Sequence, residues 1–161
     1  MQTIKLHKMD LRILKELQRD GRMSYTDLAR AVGLTTTPCI ERVKRLEKEG
    51  VIKGYTADLS PEMLGAALVV FVQIRLSRTA EDVFAEFAKA ARVLDDIQEC
   101  YLVSGNFDYL LKARVADMDE YRRLLGETLL SLPGVQESTS YVVMEEIKDT
   151  HAVNLGNYPH L

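Results

Sequence analysis

The sequence predicts an α+β chain of two domains, on three observations. Residues 1–60 place apolar residues at helical spacing as far as Gly50. Residues 66–148 alternate strand-like and helix-like patterns in the order β-α-β-β-α-β. Charge divides the chain at the same place. Residues 1–60 carry 12 Lys and Arg against 8 Asp and Glu, net +4; residues 61–161 carry 9 against 16, net −7. The whole-chain charge of −3 and pI near 5.7 therefore hide a basic head on an acidic body. Such asymmetry is expected when only one domain meets a polyanion. Residues 61–65, PEMLG, read as the linker, and residues 149–161 as a flexible tail.

The first helix is expected over residues 8–20, with Met9, Ile13, Leu14 and Leu17 inward and Asp20-Gly21 ending it. Ser24-Tyr25-Thr26-Asp27 is a capping-box-like start for a second, with Leu28, Ala29 and Val32 inward. Gly33-Leu34 turns the chain. The third helix is expected to be capped by Thr37, with Pro38 at the first helical position, and to stop at Gly50. Ile40, Val43 and Glu47 share one side of it, flanked by Cys39 and Leu46. Pro38, Glu41, Arg45 and Lys48 share the other, with Arg42 and Lys44 on the shoulders.

A lone helix with such a face also fits a solvated surface. Three short helices with a tight glycine turn before a basic third one match a helix-turn-helix. Val51-Ile52 and Tyr55 to Leu59 alternate like a strand, which suits a small wing with Lys53 near phosphate. The candidate set facing double-stranded DNA is Thr36, Thr37, Pro38, Glu41, Arg42, Lys44, Arg45, Lys48 and Lys53. Arg45 is nearest the centre of the outer face and is the best base-contact candidate. Arg42, Lys44 and Lys53 suit phosphate. A net +4 head should bind weakly alone, so several heads in one assembly would help.

Beyond the linker, Leu68 to Leu76 reads as a strand, with Leu68, Val70, Val72, Ile74 and Leu76 on one face. Residues 80–91 read as a helix with Val83, Phe84, Phe87 and Ala88 inward. Ile97 to Ser104 and Tyr109 to Val115 read as strands joined by the turn Gly105-Asn106-Phe107-Asp108. Asp119 to Leu132 reads as a helix, broken by Pro133-Gly134, and Val135 to Ile147 as a last long strand. This order is the ferredoxin-like arrangement, with both helices on one face of the sheet. Several strands are apolar on the open face too: Val69 and Phe71, Tyr101 and Val103, Tyr141 and Val143. Such a face needs a cover. A second copy of the domain is the simplest; packing on the head is the alternative.

Other classes find little support. Cys39 and Cys100 form no disulfide framework, and His7, His151 and His160 have no metal-ligand spacing. No catalytic or metal site is expected. The N-terminus lacks a signal-like apolar stretch, and the run Leu64 to Val72 is too short to span a bilayer. A cytoplasmic protein without membrane contact is expected.

Three blocks carry a resemblance: TTTPCIERVKRLEKEGVIKGYTADLSPEMLG, IQECYLVSGNFDYLLKARV and MDEYRRLLGETLLSLPGVQESTSYVVMEEIK. Together, over residues 6–148, they resemble the Lrp/AsnC (feast/famine) transcription regulators. The resemblance implies a winged helix-turn-helix domain and a ferredoxin-like regulatory (RAM) domain. It also implies a dimer that assembles further, often to an octamer, associates with the nucleoid and responds to an amino acid. Two departures occur. Thr35-Thr36-Thr37-Pro38 stands where the family commonly has Ser-Pro-Thr-Pro. Gly105-Asn106-Phe107-Asp108-Tyr109 stands where it often has Gly-Asp-x-Asp-Tyr, so Asn106 removes one negative charge. The resemblance places an effector pocket between dimers, lined by this turn and by Gly126-Glu127-Thr128. The candidate effector residues are therefore Gly105, Asn106, Phe107, Asp108, Tyr109, Glu127 and Thr128, and leucine is the expected effector. A glycine-containing turn supplies N–H groups for the effector's carboxylate, and Asp108 suits its ammonium. Asp108 also reads as a turn-stabilising side chain. Some siroheme decarboxylases resemble the same plan, and a related enzyme is the alternative. It would need a proton-transferring side chain such as His in the pocket, whereas all three histidines lie near the chain ends.

Overall fold

The structure, a computed structural model, describes residues 5–77 and 82–157. It divides into two compact units. One runs to Asp58 and takes in the segment from Asp149; the other is Leu59–Lys148.

The first unit holds α1 (Lys8–Arg19), α2 (Tyr25–Val32) and α3 (Thr36–Lys48). Ser24 caps α2 by accepting a hydrogen bond from the Asp27 N–H at 3.1 Å. Gly33, at φ 77°, supplies the left-handed turn into α3. The core joins Ile13, Leu28, Val32, Cys39, Val43 and Leu46, with Leu6 and Leu11 closing it. Met9, Leu14 and Leu17 are half-buried against it. Residues 51–60 form no strand; an isolated alternating segment has no ladder to join in this head. The described part of the C-terminal segment is held on the head rather than loose. Val153 and the Gln18 amide exchange two hydrogen bonds, at 2.7 and 3.1 Å, and Leu155 packs on the head core.

The second unit is a four-stranded antiparallel sheet in the order β2-β3-β1-β4. Its strands are β1 (Leu68–Leu76), β2 (Ile97–Leu102), β3 (Tyr109–Val115) and β4 (Val135–Val142). Helix α4 (Val83–Ala91) follows β1 and α5 (Met118–Arg123) follows β3. The expected start of α4 at residues 80 and 81 lies outside the described residues. Val83, Phe87, Tyr121, Leu124 and Leu129 bury against Val70, Val72, Ile74 and Leu111, so both helices share one face. Gly134, at φ 73°, makes the turn into β4.

β2 stops at Leu102, two residues before the expected Ser104, and two further elements are shorter by more. β4 ends at Val142, opposite Val70; past it the ladder fades to a single bond from the Val143 N–H to Val69 O, at 2.9 Å. The expected helix 119–132 keeps α-geometry only to Arg123. A π-turn, Leu124–Thr128, and a 3₁₀ turn, Leu129–Ser131, follow. Gly126 weakens the helix there, and the Ser131 hydroxyl bonds back to the carbonyls of Thr128 at 2.7 Å and Glu127 at 3.1 Å. Among the described residues, no helix is long and apolar enough to cross a membrane.

Candidate functional site

Helix α3 starts earlier than its sequence signals suggest. Thr35 stands at the N-cap without a side-chain bond, and Pro38 is the third helical residue. Proline is tolerated there because the first-turn amides have no intrahelical partner in any case. The first backbone bond of α3 runs from the Cys39 N–H to Thr35 O. Cys39, Val43 and Leu46 face the core; Ile40 is half-buried and Glu47 is exposed, accepting a bond from the Tyr55 hydroxyl. Thr37, Glu41, Lys44, Lys48 and Lys53 are exposed, while Thr36, Pro38, Arg42 and Arg45 are half-buried.

The two arginines are not loose. Arg42 Nη1 meets Asp10 Oδ1 at 2.9 Å, and Arg45 Nη2 meets Asp10 Oδ2 at 2.5 Å. Asp10 lies on α1 with 0% of its surface exposed. Its Oδ2 also accepts the His7 backbone N–H at 2.8 Å. Burial alone would raise its pKa, but this N–H and the two guanidiniums outweigh burial and hold it below the usual carboxylate range. His7, Pro38, Glu41, Arg42 and Arg45 line a cleft of about 300 Å³ beside this cluster. Sequence reading missed Asp10. The available signal was its position, since Asp10, Ile13, Leu14 and Leu17 share one helical stripe.

A second cleft, of about 400 Å³, opens at the hairpin after β2. Gly105, Asn106 and Asp108 line it, as expected, together with Arg75, Leu76 and Gln136. Gly105 has φ 146°, a backbone region that favours glycine. Arg75 donates to Asn106 O through Nε at 3.2 Å and Nη2 at 2.8 Å, and pairs with Glu137 at 3.1 Å. Asp108 Oδ2 accepts the Leu76 N–H at 2.8 Å, where the β1–β4 register slips between Arg75 and Leu76. Its carboxylate thus pins the hairpin to β1. Arg75, Leu76 and Gln136 were not legible as site residues, because their approach depends on strand register.

The remaining expected effector residues lie elsewhere. Phe107 is half-buried and does not line the cleft. Tyr109 belongs to the core: its ring lies 4.5 Å from that of Phe87, and its hydroxyl donates to Phe84 O at 3.1 Å. Burial raises its pKa. Glu127 and Thr128 sit on the π-turn after α5, outside the cleft lining. π-turns recur at functional positions.

The open sheet face is less uniformly apolar than its pattern suggests. Val69 is buried, Phe71 and Leu110 are half-buried, and Tyr101 and Tyr141 are half-exposed. Between them lie two ion pairs, Lys112 with Glu99 at 3.6 Å and Arg114 with Glu146 at 3.0 Å. Among the described residues no cluster of His, Cys, Asp and Glu could hold a metal ion.

A helix-turn-helix with a cationic third helix, joined to a ferredoxin-like domain with a polar cleft, defines a DNA-binding regulator with a ligand-binding domain. Family models agree. Residues 6–53 match a winged helix-turn-helix DNA-binding domain, and residues 69–153 match the Lrp/AsnC ligand binding domain. The chain is 62% identical to the leucine-responsive regulatory protein of Haemophilus influenzae, over 91% of this chain and 88% of that one. It is 59% identical to the leucine-responsive regulatory protein of Escherichia coli K12, over 91% and 89%. A transcriptional regulator of Neisseria meningitidis, solved in complex with L-Met, superposes with TM-score 0.90 at 37% identity, over 94% of this chain and 98% of that one. The chain belongs to the Lrp/AsnC family of transcription regulators. It is a DNA-binding, amino-acid-responsive regulator and not an enzyme.

Proposed function

We propose that α3 enters the major groove and that leucine, bound at the hairpin cleft, shifts the assembly and its affinity for DNA. In this reading residues 1–60 form the DNA-binding domain, 61–65 the linker and 66–148 the effector and oligomerisation domain. The observation that carries the DNA half is the placement of Thr37, Glu41, Lys44 and Lys48 on the exposed side of α3, with Arg42 and Arg45 beside them. Thr36, Thr37, Pro38, Glu41, Arg45 and Lys48 face the groove; Arg42, Lys44 and Lys53 contact phosphate. Replacing Arg45 with Ala lowers specific affinity by about 1–3 kcal/mol if it reads a base.

The effector half rests on the cleft and on two relatives. The Haemophilus relative is named for leucine, and the Neisseria regulator was solved with L-Met. The effector's carboxylate meets the backbone N–H groups of Gly105 and Asn106, and its ammonium faces Asp108. Glu127 and Thr128 complete the pocket from another protomer. Tyr109 supports the hairpin from the core and makes no contact with the effector. The sheet's open face, through Phe71, Tyr101, Leu110 and Tyr141, packs on a second copy, and dimers assemble further to an octamer. Such a protein works in the cytoplasm, on the nucleoid. A ligand bound between dimers favours one assembly over another, and that difference alone changes DNA binding.

The test is a DNA-binding titration of the purified protein against a panel of amino acids. Leucine is expected to shift the midpoint most, with methionine next. Identical curves with every amino acid would refute the effector reading.

A further inference from the structure

We propose that Asp10 is a positioning residue for DNA recognition, holding Arg42 and Arg45 in one preset pose and cancelling one of their two charges. This rests on the reading of α3 as the DNA-contacting helix.

Asp10 is a carboxylate with no exposed surface, in the stripe of α1 that otherwise packs the head core. Removing an ionised carboxylate from water is costly, and an apolar side chain of similar size would pack the same stripe without that cost. What the acid does is visible in its bonds. One oxygen takes Arg42, and the other takes Arg45 and the His7 N–H. Three donors, two from α3 and one from the turn that precedes α1, converge on one side chain. Arg42 and Arg45 stand three apart on α3, where bare guanidiniums would repel and spread. Bridged by one carboxylate, each loses most of its rotamer freedom before any ligand arrives. A long arginine side chain has much such freedom to lose, so ordering it in the free protein lowers the entropic cost of contact.

The electrostatic consequence is separate. Two free guanidiniums present +2 to the phosphate backbone; with Asp10 the cluster presents +1. Non-specific binding is nearly all phosphate attraction, so it weakens most. A preset pose favours the one sequence that fits it. Asp10 therefore widens the gap between specific and random DNA in two ways, by ordering and by charge.

The test uses the full-length protein and its Asp10→Asn variant, titrated with an operator duplex and a random duplex across a salt series. Non-specific affinity is expected to rise, the slope of log K against log salt to steepen by about one, and specific affinity to fall by about tenfold. A merely structural role would weaken both affinities together and leave the slope unchanged, which would overturn the proposal. Should the variant not fold, the wild type supplies the measurement. The side-chain Nε–H groups of Arg42 and Arg45 should be as ordered by NMR relaxation in the free protein as on DNA; mobile side chains in the free protein would overturn the proposal equally. An Arg42→Gln, Arg45→Gln variant separates the two readings. If it keeps full DNA affinity, the assignment of α3 fails. If it loses affinity while Asp10→Asn changes neither slope nor specificity, only the role of Asp10 fails.

Discussion

The two clefts of this chain are built on different principles. In the head, Asp10 from α1 and Arg42 and Arg45 from α3 meet within hydrogen-bond distance inside one copy of the chain. In the regulatory domain, the residues assigned to one effector are separated. Gly105, Asn106 and Asp108 line the hairpin cleft, while Glu127 and Thr128 ride on the π-turn after α5 and line no part of it. The contrast teaches how the protein divides its work. The proposed DNA-contacting cluster is assembled within one chain and can be preset. On the proposed reading the effector surface is half a site, and a ligand that needs both halves reports on assembly.

That contrast can be sharpened by disturbing each frame. The largest effect is expected at Gly134, whose positive φ and missing side chain let β4 pass close to Val83; an added Cβ would overlap Val83 Cγ2. Gly134→Ala should destabilise the regulatory domain by about 3 kcal/mol in denaturant unfolding, and a wild-type midpoint would show that the close approach is not rigid. A smaller effect is expected in the head. Ending the chain at Lys148 removes the Val153–Gln18 bonds and the packing of Leu155. Loss of about 1–2 kcal/mol from the head's unfolding is the expected cost. An unchanged head would mean that this segment merely rests there.

The smallest effect is a pH dependence. The folded pKa of Asp10 lies below its ordinary 3.8. Its ionisation therefore stabilises the head fully above that value, and the contribution is lost as pH falls through the folded pKa. Urea unfolding at about pH 5 and about pH 3 should differ more in wild type than in Asp10→Asn. Equal differences would assign the acid sensitivity to other carboxylates.

Much of this organisation was legible in the sequence, and the failures have physical causes. The periodicities located all three head helices and all four strands, and the charge division marked the basic head. Ser24 and Gly33 act as their residue types suggest. Thr37-Pro38 misled because proline fits anywhere in a first turn, so it does not mark the first residue. The 14-residue helix pattern hid a π-turn, since apolar spacing persists while Gly126 and Ser131 change the backbone bonding. Among the described residues the strand pattern past Val142 keeps only the Val143 bond to Val69 and the alternation at residues 51–60 joins no sheet, and a strand exists only by pairing. Tyr109 was drawn into the effector set by its place beside the turn, but strand alternation points its ring into the core. Asp10 and Arg75 act through neighbours distant in sequence, and no local pattern carries that information.

The claim that the effector site is shared between protomers is tested most directly by complementation. Asp108→Asn removes the charge while its side-chain oxygen can still accept the Leu76 N–H, so the hairpin is kept. Glu127→Ala with Thr128→Ala removes the other half. Leucine titrations by calorimetry should give no heat with either variant alone. Oligomers co-expressed from both should regain binding in a fraction of sites, where an intact hairpin meets an intact π-turn. Binding lost in both variants and not restored in the mixed oligomers would contradict a shared site, as would wild-type binding by either variant alone.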